Sequence, residues 1–441
     1  MRRRLRFCAS EPLEPRVLLS ASTNTDLGES PAQVAELNQL AGADDASSDS
    51  TTYPGGITVT PSEIRTMTDV IPRFVAEPTV ISVQSGGWAN PNTWSTGSVP
   101  AEDDLVLIAA GTTVTYASVS DHSIDAIEVG GRLVFSPFVN TRMVVGTITV
   151  MPVGTLEIGT PLVPVRSNVT AELIIADRPL DLQNDPSQFA AGLIGFGKVT
   201  MHGSELATTW TRLVAEPRAG NQFLRVAQVD PYWRPGDTLV IPDSRQVAWS
   251  QESQFTGGQL PPQWEEVTID RIFGGTIVLQ EPLQFDHLGA RNADGELVLL
   301  PHVATLTRNV IVRSENPQGT RGHVLLGGRA DVAISYARFS DLGRTDAFRD
   351  LDNTTFAPDG TVTHIGTNQI ARYAMHFHHL IGPENPSNSG YQFKFVGNTV
   401  DRSLKWGVAV HGTSFGLLER NVVYDADGAG FVTEDGSEIG N

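Results

Sequence analysis

Five of the chain's ten histidines lie within 48 residues, between His364 and His411. Four of these, His376, His378, His379 and His411, fall on two of three short runs that resemble one another: ARYAMHFHHL, KWGVAVHGTS and GAGFVTEDGS. Gly407 maps onto Gly430, His411 onto Glu434 and Asn398 onto Asn421, each at a step of 23 residues. His378 precedes His411 by 33 residues, one step plus ten, and the turn-rich GPENPSNSG between Gly382 and Gly390 accounts for the excess. Two chemistries suit this set. Histidines at i and i+2, with a third histidine and a carboxylate one and two repeats on, suit a divalent cation, and mixed imidazole and carboxylate donors favour a transition metal over calcium. Without a metal, the same groups serve as acid and base. The candidate metal ligands are therefore His376, His378, His411 and Glu434, and the candidate catalytic groups are His378, His411, Glu434 and Asp435. Asp425, Asp427 and Tyr373 stand near enough in sequence to join them.

Such residues need a scaffold that stacks repeats. Short alternating apolar runs punctuated by Gly, Asn and Asp, at a period too short for helical repeats, predict the coils of a parallel β-helix. Equivalent positions of successive coils lie about 4.8 Å apart. His378, His411 and Glu434 then form one column, with His376 on the same face, His379 on the opposite face and Asp435 at the strand end. The outer members of that column are about 9.6 Å apart along the backbone, so one ion reaches both only where side chains lean inward. A column of stacked polar residues also occurs for packing alone.

Composition bounds the rest. The 441 residues include 42 Gly and 27 Pro, with 18% charged residues, which suits a turn-rich all-β protein. A net charge of −19 argues against non-specific nucleic-acid binding. A single cysteine, Cys8, excludes an intramolecular disulfide framework and a cysteine zinc site. There is no apolar run long enough for a transmembrane helix. Seven arginines between Arg308 and Arg349, with no lysine among them, would line a groove for an anionic polymer if they faced solvent. Local acids offset most of that charge. The P-loop, G-x-S-x-G and H-E-x-x-H patterns do not occur in a useful context.

The start, MRRRLRFCASEPLEPRVLLSAS, has the outline of an export signal. Its Leu13 to Leu19 segment resembles the LEPR-XLL motif of exported surface proteins of planctomycete-type bacteria. Residues 1–21 are read as this leader and 22–78 as a flexible acidic Ser/Thr-rich spacer, since Ala21 to Ile64 holds no Lys or Arg. From Thr79, the W-x5-W-x2-G-x-V-P-x2-D-D pattern resembles the G8 domain; it runs from Trp88 and Trp94 through Gly97, Pro100 and Asp103, with Gly86, Gly87, Gly111, Gly130, Gly131 and Gly154 around it. The two tryptophans read as packing rather than as a sugar platform. The following segments, WRPGDTLVIPDS through RYAMHFHHL to GAGFVTEDG, resemble the family of cell-migration-inducing hyaluronidases and transmembrane protein 2. That resemblance implies a G8 β-module (79–203) followed by a right-handed parallel β-helix (204–441), an all-β solenoid; because the repeat has not run down at Asn441, the solenoid is read as truncated at its C-terminal end. It also implies an extracellular or cell-surface protein that binds, and in one branch depolymerises, an acidic glycan, with calcium as the implied cofactor. A non-catalytic carbohydrate-binding or adhesive module on the same scaffold is the alternative.

Overall fold

The computed structural model describes residues 50–245, 261–386 and 390–441. The expected leader, and the expected spacer as far as residue 49, lie outside the described residues. Among those described there is no α-helix, and a short 3-10 turn, Pro91–Thr93, interrupts the strands.

Three columns of parallel strands wind around one apolar core. The first column runs Leu105–Ile108, the end of Val119–Val129, the end of Thr141–Val150, Gly192–Gly195, His323–Gly328, Met375–Leu380, Val408–His411 and Phe431–Thr433. The second begins on the first halves of the same two long strands and continues through Ala171–Ile175, Val310–Ser314, Ala337–Ser340, Thr399–Asp401 and Val422–Tyr424. The third runs from Gly86–Gly87 through Thr113–Tyr116, Arg132–Phe135, Thr155–Ile158, Lys198–His202, Asp331–Ser335 and Phe393–Val396 to Gly416–Glu419. This is a parallel β-helix, and the G8 region forms its first coils. Alternate residues such as Val106, Leu133, Leu156, Leu193, Phe377 and Phe395 point inward and are fully buried. Two G8 glycines sit where stacked turns nearly touch. A Cβ on Gly154 would lie 1.8 Å from the Val129 carbonyl oxygen, and one on Gly131 would lie 2.3 Å from that of Ala109. Trp88 and Trp94 pack edge to face at 5.0 Å, both buried, so they are packing residues as expected.

Two expectations need correction. The described residues 204–245 and 261–309 are not coils. Trp210–Arg212, Phe223–Arg225, Thr238–Ile241, Glu265–Phe273, Thr276–Leu279 and His302–Thr305 form a six-stranded antiparallel sheet with its own core around Leu224, Leu239, Ile269 and Ile277. The solenoid passes this insertion by, since Lys198–His202 pairs directly with Asp331–Ser335. The sequence misled because a hairpin closed by Gly274 and Gly275 alternates just as a coil does.

The spacer is folded at its C-terminal end. Thr51–Tyr53, Ile57–Val59, Glu63–Arg65 and Val70–Pro72 make an antiparallel sheet. Its Ile57, Ile64 and Ile71, at seven-residue spacing, are buried against Ile194, Phe196 and Leu325 on the outer face of the first column. Burying each isoleucine stabilises the docked sheet by about 2 kcal/mol. Average composition hid these three anchors among polar neighbours.

Candidate metal centre

The first column continues beyond the docked sheet. Leu325 pairs with His376, and His376 with Ala409 on the next coil. Gly327 pairs with His378, and His378 with His411. The Glu434 amide donates to the Val410 carbonyl at 2.9 Å, which carries the ladder one coil further. The 23-residue step and the ten-residue loop therefore hold. Met375, Phe377 and Leu380 fill the core, so His376 and His378 point outward. Ala409 presents only a methyl above His376, and the His376 and His411 rings lie parallel at 5.8 Å.

The side chains converge. One ligand atom from each of His376, His378 and His411 lies within 4.8 Å of the others. The facing Nδ1 atoms of His378 and His411 are 3.1 Å apart. The Glu434 Oε2 stands 3.8 Å from His376 Nε2 and 3.7 Å from His411 Nδ1. Asp435 stands at the edge as expected, 3.2 Å from His411 Nε2. Tyr373 joins the group by donating its hydroxyl to Glu434 Oε1 at 3.3 Å. Asp425 and Asp427 do not, since Asp425 lies among Arg402, Asp401 and Asp341 and the Asp427 amide donates to Ser403. His364 is also elsewhere, paired with Asp352 at 2.6 Å.

Burial sets the electrostatics. His376 is fully enclosed, and burial, reinforced by the neighbouring His378 and His411, holds it well below the usual imidazole range. Burial pushes the Glu434 carboxyl up, against the pull of His411 and the Tyr373 hydroxyl. Two polar atoms at the centre, His376 Nε2 and Glu434 Oε2, are buried with no hydrogen-bond partner.

Two contributors escaped the sequence. The first is Asp69, on the turn between Glu63–Arg65 and Val70–Pro72 of the docked sheet. Its Oδ2 is 2.9 Å from His378 Nε2, and the Thr68 hydroxyl donates to the same oxygen at 2.8 Å. Burial pushes its carboxyl up, but the hydrogen bond and charge of His378 outweigh this and hold it at about 2. The second is His379, expected on the opposite face. The strand bulges there, because Gly327 pairs with His378 and Gly328 with Leu380. His379 takes a left-handed conformation, φ 46°, and its ring lies 4.6 Å from those of both His378 and His411. The sequence signal was Gly327-Gly328 opposite it, a pair suited to a bulge.

The cluster opens onto a cleft of about 700 Å³ between the docked sheet and the 350–372 loop, with His378, His411 and Glu434 on its floor and Arg65, Phe356 and Gln369 on its walls. The arginine groove is not formed. Arg308, Arg321 and Arg344 donate to turn carbonyls such as Gly397, Asp341 and Ala190, while Arg313 and Arg338 pair with Glu172 and Asp401.

Comparison with known proteins agrees with this architecture. The G8 domain family matches residues 93–214, and the CEMIP β-helix family matches residues 359–441, which includes every histidine of the cluster. Human Fibrocystin-L is 27% identical over 80% of this chain, and protein rliB of Dictyostelium discoideum is 25% identical over 80%. The chain spans 8% of the first and 28% of the second. The tailspike of Acinetobacter baumannii bacteriophage AP22, solved with capsular saccharide, is 10% identical over 77% of this chain and 46% of its own, at a TM-score of 0.20, too low to carry an argument. The chain thus resembles G8 domain-containing proteins over its first coils and the CEMIP β-helix over the coils that carry the histidine column.

Proposed function

We propose that this is an extracellular or cell-surface protein that acts on a polysaccharide held in the cleft above the histidine column. One observation carries the reading: imidazoles and carboxylates from separate coils, and from the docked sheet, converge on the floor of an open cleft. Phe356, 48% exposed, offers a stacking face for a sugar ring, and Gln369 and Arg65 offer hydrogen-bonding groups. The likeness to the CEMIP β-helix makes hyaluronan and other uronic-acid polymers the first substrates to test. The mixed charge of the cleft, Arg65 against Asp69 and Glu434, places no requirement for an anionic sugar on the site.

The enclosure of His376 favours a second reading, a non-catalytic carbohydrate-binding module whose column is structural. Incubation with hyaluronan, other uronic-acid polymers and a neutral glycan separates the two. Chain shortening that disappears in His411→Ala supports action on the polymer. Saturable binding without shortening supports the module, and neither result sinks both.

A further inference from the structure

We infer that the column is a transition-metal centre, with zinc the best fit, whose four donors are His376 Nε2, His378 Nδ1, His411 Nδ1 and Glu434 Oε2. The inference deepens the reading above, but the ion is detected without any glycan, so the two fail separately.

Hydrogen bonds to outer acceptors fix which nitrogen is free on His376 and His378, and Asp435 stands beside the outer nitrogen of His411. His376 Nδ1 faces the Ala371 carbonyl at 3.3 Å, and a carbonyl can only accept, so that nitrogen carries the proton. His378 Nε2 faces the Asp69 carboxylate at 2.9 Å, and His411 Nε2 faces that of Asp435 at 3.2 Å. An ionised carboxylate also only accepts, so His378 Nε2 carries a proton, and the nearness of Asp435 favours the same tautomer for His411. The remaining nitrogens are then lone pairs: those of His378 and His411 face each other, and those of His376 and His411 lie near Glu434 Oε2. A metal-binding histidine is held in the same way, with its outer nitrogen donating to a carboxylate or carbonyl that orients the ring.

Without a cation, this arrangement is unfavourable. Two imidazole lone pairs oppose each other at 3.1 Å, and His376 Nε2 and Glu434 Oε2 are buried without partners. A positive charge between them satisfies all four atoms together. The distances suit a small ion. Donors about 2.05 Å from a tetrahedral zinc stand roughly 3.3 Å apart; three of the six separations here are 3.1, 3.7 and 3.8 Å, and the three histidines place one ligand atom each within 4.8 Å of the others. The lean of the side chains removes the difficulty posed by a column two coil spacings long. Calcium fits poorly, because it takes six to eight oxygens at about 2.3–2.6 Å, and three of these four donors are nitrogen.

The simplest rival is a single proton shared between His378 and His411. It satisfies that pair and leaves His376 and Glu434 orphaned. The test uses the full chain, stripped with chelator and dialysed. Zinc, cobalt(II) and calcium are titrated in separate calorimetric runs, and bound metal is counted by mass spectrometry. The expected result is one zinc per chain, with zinc preferred over calcium by about 100-fold or more, and a cobalt(II) form with the intense visible bands of a tetrahedral site. His376→Ala should abolish uptake. Asp69→Asn keeps every donor and only loosens the His378 ring, so it should weaken zinc binding by about 10- to 100-fold. Circular dichroism confirms that each variant is folded. Absence of zinc uptake by the wild type leaves the shared proton and overturns the inference. A calcium preference, or zinc binding unchanged in folded His376→Ala, overturns it equally.

Discussion

Replacing His376 with leucine is expected to stabilise the protein in chelator and to leave it the less stable form in zinc. The two effects have separate origins. In the metal-free protein, His376 is fully enclosed with Nε2 unpartnered, and its Nδ1 contact to Ala371 is long at 3.3 Å. An unsatisfied buried nitrogen costs about 1–3 kcal/mol, whereas the one hydrogen bond lost is worth about 1 kcal/mol. Leucine has a similar volume and no polar atom, so it gains about 1 kcal/mol on balance. With zinc at a hundred times its dissociation constant, the wild type gains about 2.7 kcal/mol by mass action, and the variant, lacking a donor, gains little. The order of stability therefore crosses, with the wild type ahead by roughly 2 kcal/mol in zinc. Urea unfolding of both proteins, in EDTA and in buffered zinc, measures this directly. If leucine destabilises the protein in EDTA, the orphaned nitrogen is not the liability inferred. If zinc stabilises both proteins equally, the ion binds elsewhere.

Three further outcomes follow from the same geometry. The Asp69 carboxyl is held at about 2, below its usual 3.8, so its contribution, about 2 kcal/mol, is complete above about pH 4 and is lost as the pH falls through about 2. Acid unfolding of Asp69→Asn should lack that part of the wild-type slope, and an identical slope would mean the His378 contact is absent in solution. Ile64→Ala, at a fully buried anchor of the docked sheet, should cost about 2–5 kcal/mol or undock the sheet; in the second case zinc affinity falls together with protease resistance at residues 50–75. His379→Gly relieves a left-handed backbone in a residue that carries a Cβ and should raise the urea midpoint by the equivalent of about 1 kcal/mol, a gain that fails to appear if the bulge is not populated.

The column was legible in the sequence because a parallel β-helix copies its register from coil to coil. A 23-residue repeat in the chain is a pairing in the structure, as Val408 with Phe431 and Thr399 with Val422 show. What broke that rule was missed. His379 left the alternation through a bulge, which shifts the strand by one residue and leaves no mark on periodicity. Asp69 belongs to no coil, and its 309-residue separation from His378 is invisible to any reading of spacing. The 204–309 sheet was taken for coils because alternation reports that one face of a strand is buried, not whether its neighbour runs parallel or antiparallel. The isoleucines of the docked sheet were lost in a window average that counts polar residues without asking where the apolar ones fall.

The long reach between Asp69 and His378 also bears on the order in which the molecule is built. Coils form from contacts between neighbouring turns, and each addition closes a modest loop. The N-terminal sheet has no such partner when it is made. Its anchors Ile57, Ile64 and Ile71 must wait for Ile194, Phe196 and Leu325, and its Asp69 must wait for a strand that begins at Met375. Closing so long a loop is slow, although its entropy grows only with the logarithm of length. Until then, the sheet and the outer face of the first column both expose apolar surface to other chains. The proposed centre has its donors on coils from Met375 onward and one orienting carboxylate, Asp69, on the N-terminal sheet, so metal uptake would report when those two parts of the chain have docked.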